Sequence, residues 1–211
     1  MLRMIITKLG NHFIKLQSGD TVIAVNPVSK DSKEKSSKFG ANVALVSLNH
    51  PDMNGASDMS FGEKAPFIIS GPGEYEVKGI FVKGFASHSH YAAKKESDEK
   101  LNTVYFMNMD NMSICILGAM SDEKLSEEAL ESVEEVDILF IPVSKDTLPA
   151  ALAYKIAVSL EPKMIIPLGD PDEVKTFIKE AGADKPEKME KLTLKKKDLD
   201  GKEGEIVLLD N

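Results

Sequence analysis

The sequence predicts an α/β fold with a large layered sheet core, on three observations. The first two-thirds of the chain is a series of short β-rich runs separated by Gly, Ser, Asn and Asp. Several runs are apolar without interruption, which is the pattern of strands buried on both faces. Helical segments then alternate with late strands, so the order is many strands, β-α-β-α, and strands again. No long linker or internal repeat divides this order, and residues 1–211 are expected to form a single domain.

The elements follow in chain order. Met4–Leu9, His12–Leu16 and Thr21–Val25 predict a strand meander, with Gly10 and Ser18-Gly19-Asp20 as the turns. Ser29–Gly40 is rich in lysine and serine and has no aliphatic residue, so a solvated loop is expected. Val43–Leu48 is a doubly buried strand, followed by the polar loop Asn49–Gly55. Pro66–Ser70, Glu74–Val77 and Ile80–Phe85 continue the strand series. Thr103–Met109 and Ser113–Leu117 form a hairpin around Asp110-Asn111, since Asn tolerates the left-handed backbone of a tight turn.

Ser126 caps a helix expected to run to about Val133, with Glu127 and Glu128 at its positive end. Asp137–Val143 and Lys163–Leu168 are buried strands. Between them Thr147–Leu160 is helical, with Leu148, Leu152, Ile156 and Leu160 on one stripe. Asp170-Pro171-Asp172-Glu173 starts a further helix that Gly182 stops. Lys191–Lys196 and Glu205–Leu209 close the chain as strands, and the charged stretch Lys185–Lys202 is expected to be a solvated face.

Composition narrows the function. Lys and Arg number 26 against 34 Asp and Glu, a formal net charge of −8. That balance argues against a nucleic-acid or anionic-membrane partner, both of which need a basic face. The single Cys115 excludes an intramolecular disulfide and a multi-Cys zinc site, and its aliphatic neighbours predict a buried, inert thiol. No apolar run approaches membrane-spanning length, and Met1–Lys8 meets polar residues too early for a signal-peptide core. A cytoplasmic location is expected.

Chemistry-bearing groups are few. No P-loop, dinucleotide fingerprint or nucleophile elbow occurs. Of the four histidines, His12 is expected to be a strand residue. His50 and Asp52 follow the carboxyl end of a buried strand, where α/β folds place their sites. His88 and His90 follow Ile80–Phe85, and alternation points both rings to one face. These donors are of the kind a mononuclear zinc site uses, and the same spacing also fits unrelated surface-loop residues.

The order of elements and several motifs resemble the metallo-β-lactamase superfamily, in its ascorbate-6-phosphate-lactonase-like branch of metal-dependent hydrolases. Leu9-Gly10-Asn11-His12-Phe13 is similar to that branch's Leu-Gly-His-x-x-Phe, one residue short, and Asn26-Pro27 to its Asp-Pro. Gly71-Pro72-Gly73-Glu74-Tyr75-Glu76-Val77-Lys78-Gly79 is very like its Gly-Glu-Tyr-Glu segment. Asp137–Val143 and Glu161–Pro167 resemble its two late strands. The resemblance implies an αββα sandwich with helices on the outer faces.

The same resemblance implies a metal site from which this chain departs. The motif Thr-His-x-His-x-Asp-His falls on Ser47-Leu48-Asn49-His50-Pro51-Asp52-Met53, keeping only one His and the Asp. The bridging-Asp position falls at Ala119, and the late His position at Gly169. The expectation is a remnant site of His50, Asp52, His88 and His90, with no catalytic residue and no tightly bound metal. It describes a non-catalytic binding or assembly module whose partner is an unidentified small molecule or protein, with a homo-oligomer left open. The alternative is a mononuclear hydrolase holding zinc through His50, Asp52 and His88 or His90.

Overall fold

A computed structural model describes residues 3–95 and 97–210. Two sheets pack face to face. The first starts with an antiparallel meander of β1 (Met4–Lys8), β2 (Ile14–Ser18) and β3 (Thr21–Val25). Two parallel strands, β4 (Val43–Leu45) and β5 (Phe67–Ile69), extend it on one side.

The second sheet holds the antiparallel series β6 (Gly73–Val77), β7 (Ile80–Ser89), β8 (Lys100–Met109) and β9 (Met112–Ile116). It continues in parallel through β10 (Ile138–Pro142), β11 (Met164–Leu168), β14 (Glu205–Leu209) and β12 (Glu187–Met189). A further short strand, β13 (Leu192–Leu194), returns to pair with β1 in the first sheet.

Strand burial explains the apolar runs. Ile114, Ile116, Ile138, Phe140 and Ile166 face the first sheet, where Ile6, Leu16, Ile23 and Leu45 meet them. The alternate residues Cys115, Leu117, Leu139, Ile141 and Ile165 face the helices. Both faces of these strands are therefore dry, which removes the polar alternation of a half-exposed sheet. Cys115 is fully buried, and burial pushes its thiol pKa well above the usual range.

The helix layer comprises α1 (Glu127–Glu131), α2 (Ala150–Ser159) and α3 (Pro171–Glu180). Ser126 caps α1 by accepting the Ala129 N–H. The segment before α2 is a turn rather than helix, because the Pro149 ring at the N-cap disfavours helical backbone at the preceding Leu148. The opposite outer face carries residues 29–41 and the 3-10 turn Ala56–Met59 in place of an α-helix. Phe39 stacks on Phe13 there, with ring centroids 5.8 Å apart.

The solvated loop expected over Ser29–Gly40 has exposed lysines, and it is anchored as well. Residues 29–40 lack regular structure but are docked: Ser29 N–H donates to Pro51 O, and Ser36 Oγ donates to Val28 O. Within the charged 185–202 stretch, β13 stands where the strand Lys191–Lys196 was expected, and β12 is an additional strand. Lys196 of the same stretch joins Lys163 on the fully buried Asp137, at 2.6 Å and 3.0 Å. Burial alone would raise the Asp137 pKa, but the lysines and the Ser113 N–H hold it below its ordinary value. No helix of the described residues is long and apolar enough to cross a membrane.

Candidate functional site

The loop after β4 brings His50 and Asp52 together. His50 Nδ1 lies 3.3 Å from Asp52 Oδ2 and accepts the Asp52 backbone N–H at the same distance. Burial lowers the His50 pKa, and Lys100 adds to that while Asp52 opposes it. Asp52 has two further partners. Ser32 Oγ donates to Oδ1, and the Tyr91 hydroxyl donates to Oδ2 at 2.9 Å. The carboxylate thus has neutral donors on both oxygens, which is how a partly buried charge is kept solvated by protein.

Tyr91 is the centre of the arrangement. Its ring meets His12 edge-on at 5.4 Å and His50 edge-on at 5.1 Å. It also packs against the buried cluster of Leu48, Met53 and Ala119. Lys100 Nζ donates to the Tyr91 carbonyl at 2.6 Å, fixing the loop that carries the ring. Burial and the Asp52 hydrogen bond both raise the phenol pKa, so Tyr91 stays a neutral donor.

Around this centre lie further groups, among them His12, which was expected in a strand but stands in the bend before β2. His12 is only 4% exposed, and its Nδ1 has no hydrogen-bond partner. Burial, reinforced by Lys8, pushes its pKa down to about 4, leaving a neutral ring. The Asn11 side-chain amide donates to Glu34 and to Asp170, each at 3.1 Å. Burial raises the Glu34 pKa, with Asp52 and Asp170 adding to the shift while the Asn11 bonds oppose it. Fully buried Asn102 supports the floor: its side chain accepts the Ala119 N–H at 2.8 Å and donates to Leu117 O at 3.0 Å.

His88 and His90 go elsewhere. The β7 strand extends to Ser89 because Ala86–Ser89 pair with Lys100–Thr103, so His88 is a strand residue on an exposed face. Its Nδ1 pairs with Asp122 at 3.0 Å, and that hydrogen bond raises its pKa. Glu99 lies 3.9 Å from His88 and 4.0 Å from His90. The post-strand segment therefore directs Tyr91 to Asp52, while the two histidines face Asp122 and Glu99. Tyr91 follows His90 directly, yet nothing local marked the phenol as the residue that reaches Asp52. Ser32 and Glu34 were hidden in the segment expected to be solvated.

Two packed sheets, an outer helix layer and an edge-loop site after a buried strand define the metallo-β-lactamase fold. The family model described as the beta-lactamase superfamily domain matches residues 5–169, and the chain belongs to that family. A Thermotoga maritima protein assigned to the zinc-dependent hydrolases of the metallo-β-lactamase superfamily has a similar structure. Its TM-score is 0.76, with 24% identity and 98% of each chain covered. Igni18, a metallo hydrolase from Ignicoccus hospitalis, superposes at a TM-score of 0.61, with 17% identity over 92% of this chain and 99% of that one. YhfI, a metallo-β-lactamase fold protein from Bacillus subtilis, gives 0.64 with 11% identity over 100% and 98%. No curated protein matches the chain.

Those relatives raise the question of a metal. Catalytic zinc takes three protein donors and a water. Among the described residues no group of three or more His, Cys, Asp or Glu side chains is placed to hold a metal ion. Asp52 already receives two hydroxyls, and the neighbouring side chains Leu48, Met53 and Ala119 are apolar. The donor set does not fit a metal centre.

Proposed function

We propose that the chain uses the metallo-β-lactamase sandwich as a non-catalytic binding module whose His50–Asp52 pair is a remnant of a metal site. The observation that supports this most is the buried packing of Leu48, Met53 and Ala119 against Tyr91, with the Tyr91 hydroxyl on Asp52. Positions that in the resembled family carry imidazole or carboxylate donors here carry side chains that exclude water. A thioether is also a poor ligand for a borderline cation such as zinc.

The test is hydrolysis with metal supplied. The purified full chain, incubated with zinc, manganese or iron(II), is offered a generic phosphodiester and a lactone. Turnover at the buffer background is expected, and identical in His50→Ala. Metal-dependent turnover that disappears in His50→Ala would replace this reading with the mononuclear hydrolase.

A further inference from the structure

A cavity of about 740 Å³ is lined in part by Leu48, which packs with Tyr91, and by Lys100, which donates to the Tyr91 carbonyl. Its size lies in the range of small-molecule sites. Three segments build it: the stretch from Val46 to Ser57, the end of β5 with Ser70 just past it, and the start of β8. The floor is closed where the sheets meet, through the Thr103 N–H on Ser47 O at 2.8 Å and the Leu48–Asn102 bridge.

The lining has a chemical bias. Lys100 is its one ionic side chain, and among the described residues no carboxylate lines it. In a chain of net charge −8 that is a local reversal of sign. The Lys100 ammonium spends one N–H on the Tyr91 carbonyl, so it is held in place with two donors left for a ligand. Asn54, Ser57 and Ser70 add neutral hydroxyl and amide groups. The wall carries Ile68 and Leu101, which are 47% and 60% exposed. Such apolar exposure at a cavity mouth is the surface a ligand's apolar part would cover.

We infer that this cavity binds a small amphipathic anion, with its carboxylate or phosphate on Lys100 and its apolar part on Ile68 and Leu101. This deepens the binding-module reading above by naming a ligand class and a place for it.

Phenyl phosphate is the probe, titrated into the full chain and followed by calorimetry and by isoleucine and leucine methyl NMR. Saturable shifts of the Ile68 and Leu101 methyls are expected. Affinity should fall about tenfold in Lys100→Gln and in Ser57→Asp, which places a repelling carboxylate in the cavity without touching Tyr91. Inorganic phosphate, lacking the ring, should bind about tenfold more weakly. Absence of saturation, shifts confined to other methyls, or unchanged affinity in both variants would overturn the inference. Release of phenol would overturn the non-catalytic reading instead, and the methyl shifts would still report the cavity.

Discussion

The Tyr91 hydroxyl donates to Asp52 across 2.9 Å, joining the segment after β7 to the loop after β4 and so one sheet to the other. The Asp52 carboxylate is thereby satisfied by a phenol and by the Ser32 hydroxyl. The arrangement makes the site part of the packing of the molecule.

Removing that hydroxyl should be measurable. Tyr91→Phe keeps the ring against His12, His50 and Met53 but leaves one Asp52 oxygen short of a donor. A loss of about 1–2 kcal/mol is expected, read as a lower denaturation midpoint at unchanged slope. An unchanged midpoint would show that water replaces the phenol without cost.

Acid lability has a specific source in His12. Its folded pKa of about 4 lies below the ordinary 6.5, so the unfolded chain binds the extra proton first. Stability is full above pH 6.5 and falls as pH drops toward 4. The drop is on the order of 3 kcal/mol across that window. His12→Gln should flatten the midpoint-against-pH curve between those limits, while a parallel curve would exclude His12 as the cause.

Asp137 contributes in a lower window. Its pKa is depressed in the fold, so its stabilisation is present above the ordinary carboxylate value of 3.8 and is lost as pH falls through the folded one. Asp137→Asn would leave Lys163 and Lys196 with only the more exposed Glu135 carboxylate between them. About 2–3 kcal/mol is expected, less than for a sealed pair because both lysines reach solvent. Urea unfolding at neutral pH measures it, and a change within error would reduce the pair to surface ion bridging.

Docking of residues 29–40 depends on Gly55. A Cβ there would stand 2.4 Å from the Val28 carbonyl oxygen, and the Gly55 N–H donates to Pro27 O at 2.7 Å. Gly55→Ala should lift this segment and open Lys30, Lys33, Lys35 and Lys38 to trypsin under native conditions. Cleavage no faster than in the unaltered chain would mean that the backbone shifts without releasing the loop.

Legibility in the sequence followed physical locality. Strands β9, β10 and β11 were evident because both faces are dry and every residue except Ser113 is apolar. The Asp110-Asn111 hairpin was evident because both residues adopt the left-handed backbone, at φ 53° and 62°. The pair His50 and Asp52 was found because it lies two residues apart after a buried strand. Tyr91, Ser32 and Glu34 were not, since each reaches the site only through contacts distant in sequence. The short strand Glu187–Met189 escaped for a related reason: two of its three residues are charged and exposed, and only pairing with β14 makes it a strand.

In the proposed module, Asp52 is satisfied by the Ser32 and Tyr91 hydroxyls, and the His50–Asp52 pair holds no metal. Elemental analysis of the full chain, purified without chelator alongside His50→Ala, tests it most directly. Zinc, iron and manganese are expected far below one equivalent per chain, at the same level in both proteins. Near one equivalent of a transition metal in the unaltered chain, lost in His50→Ala, would contradict it.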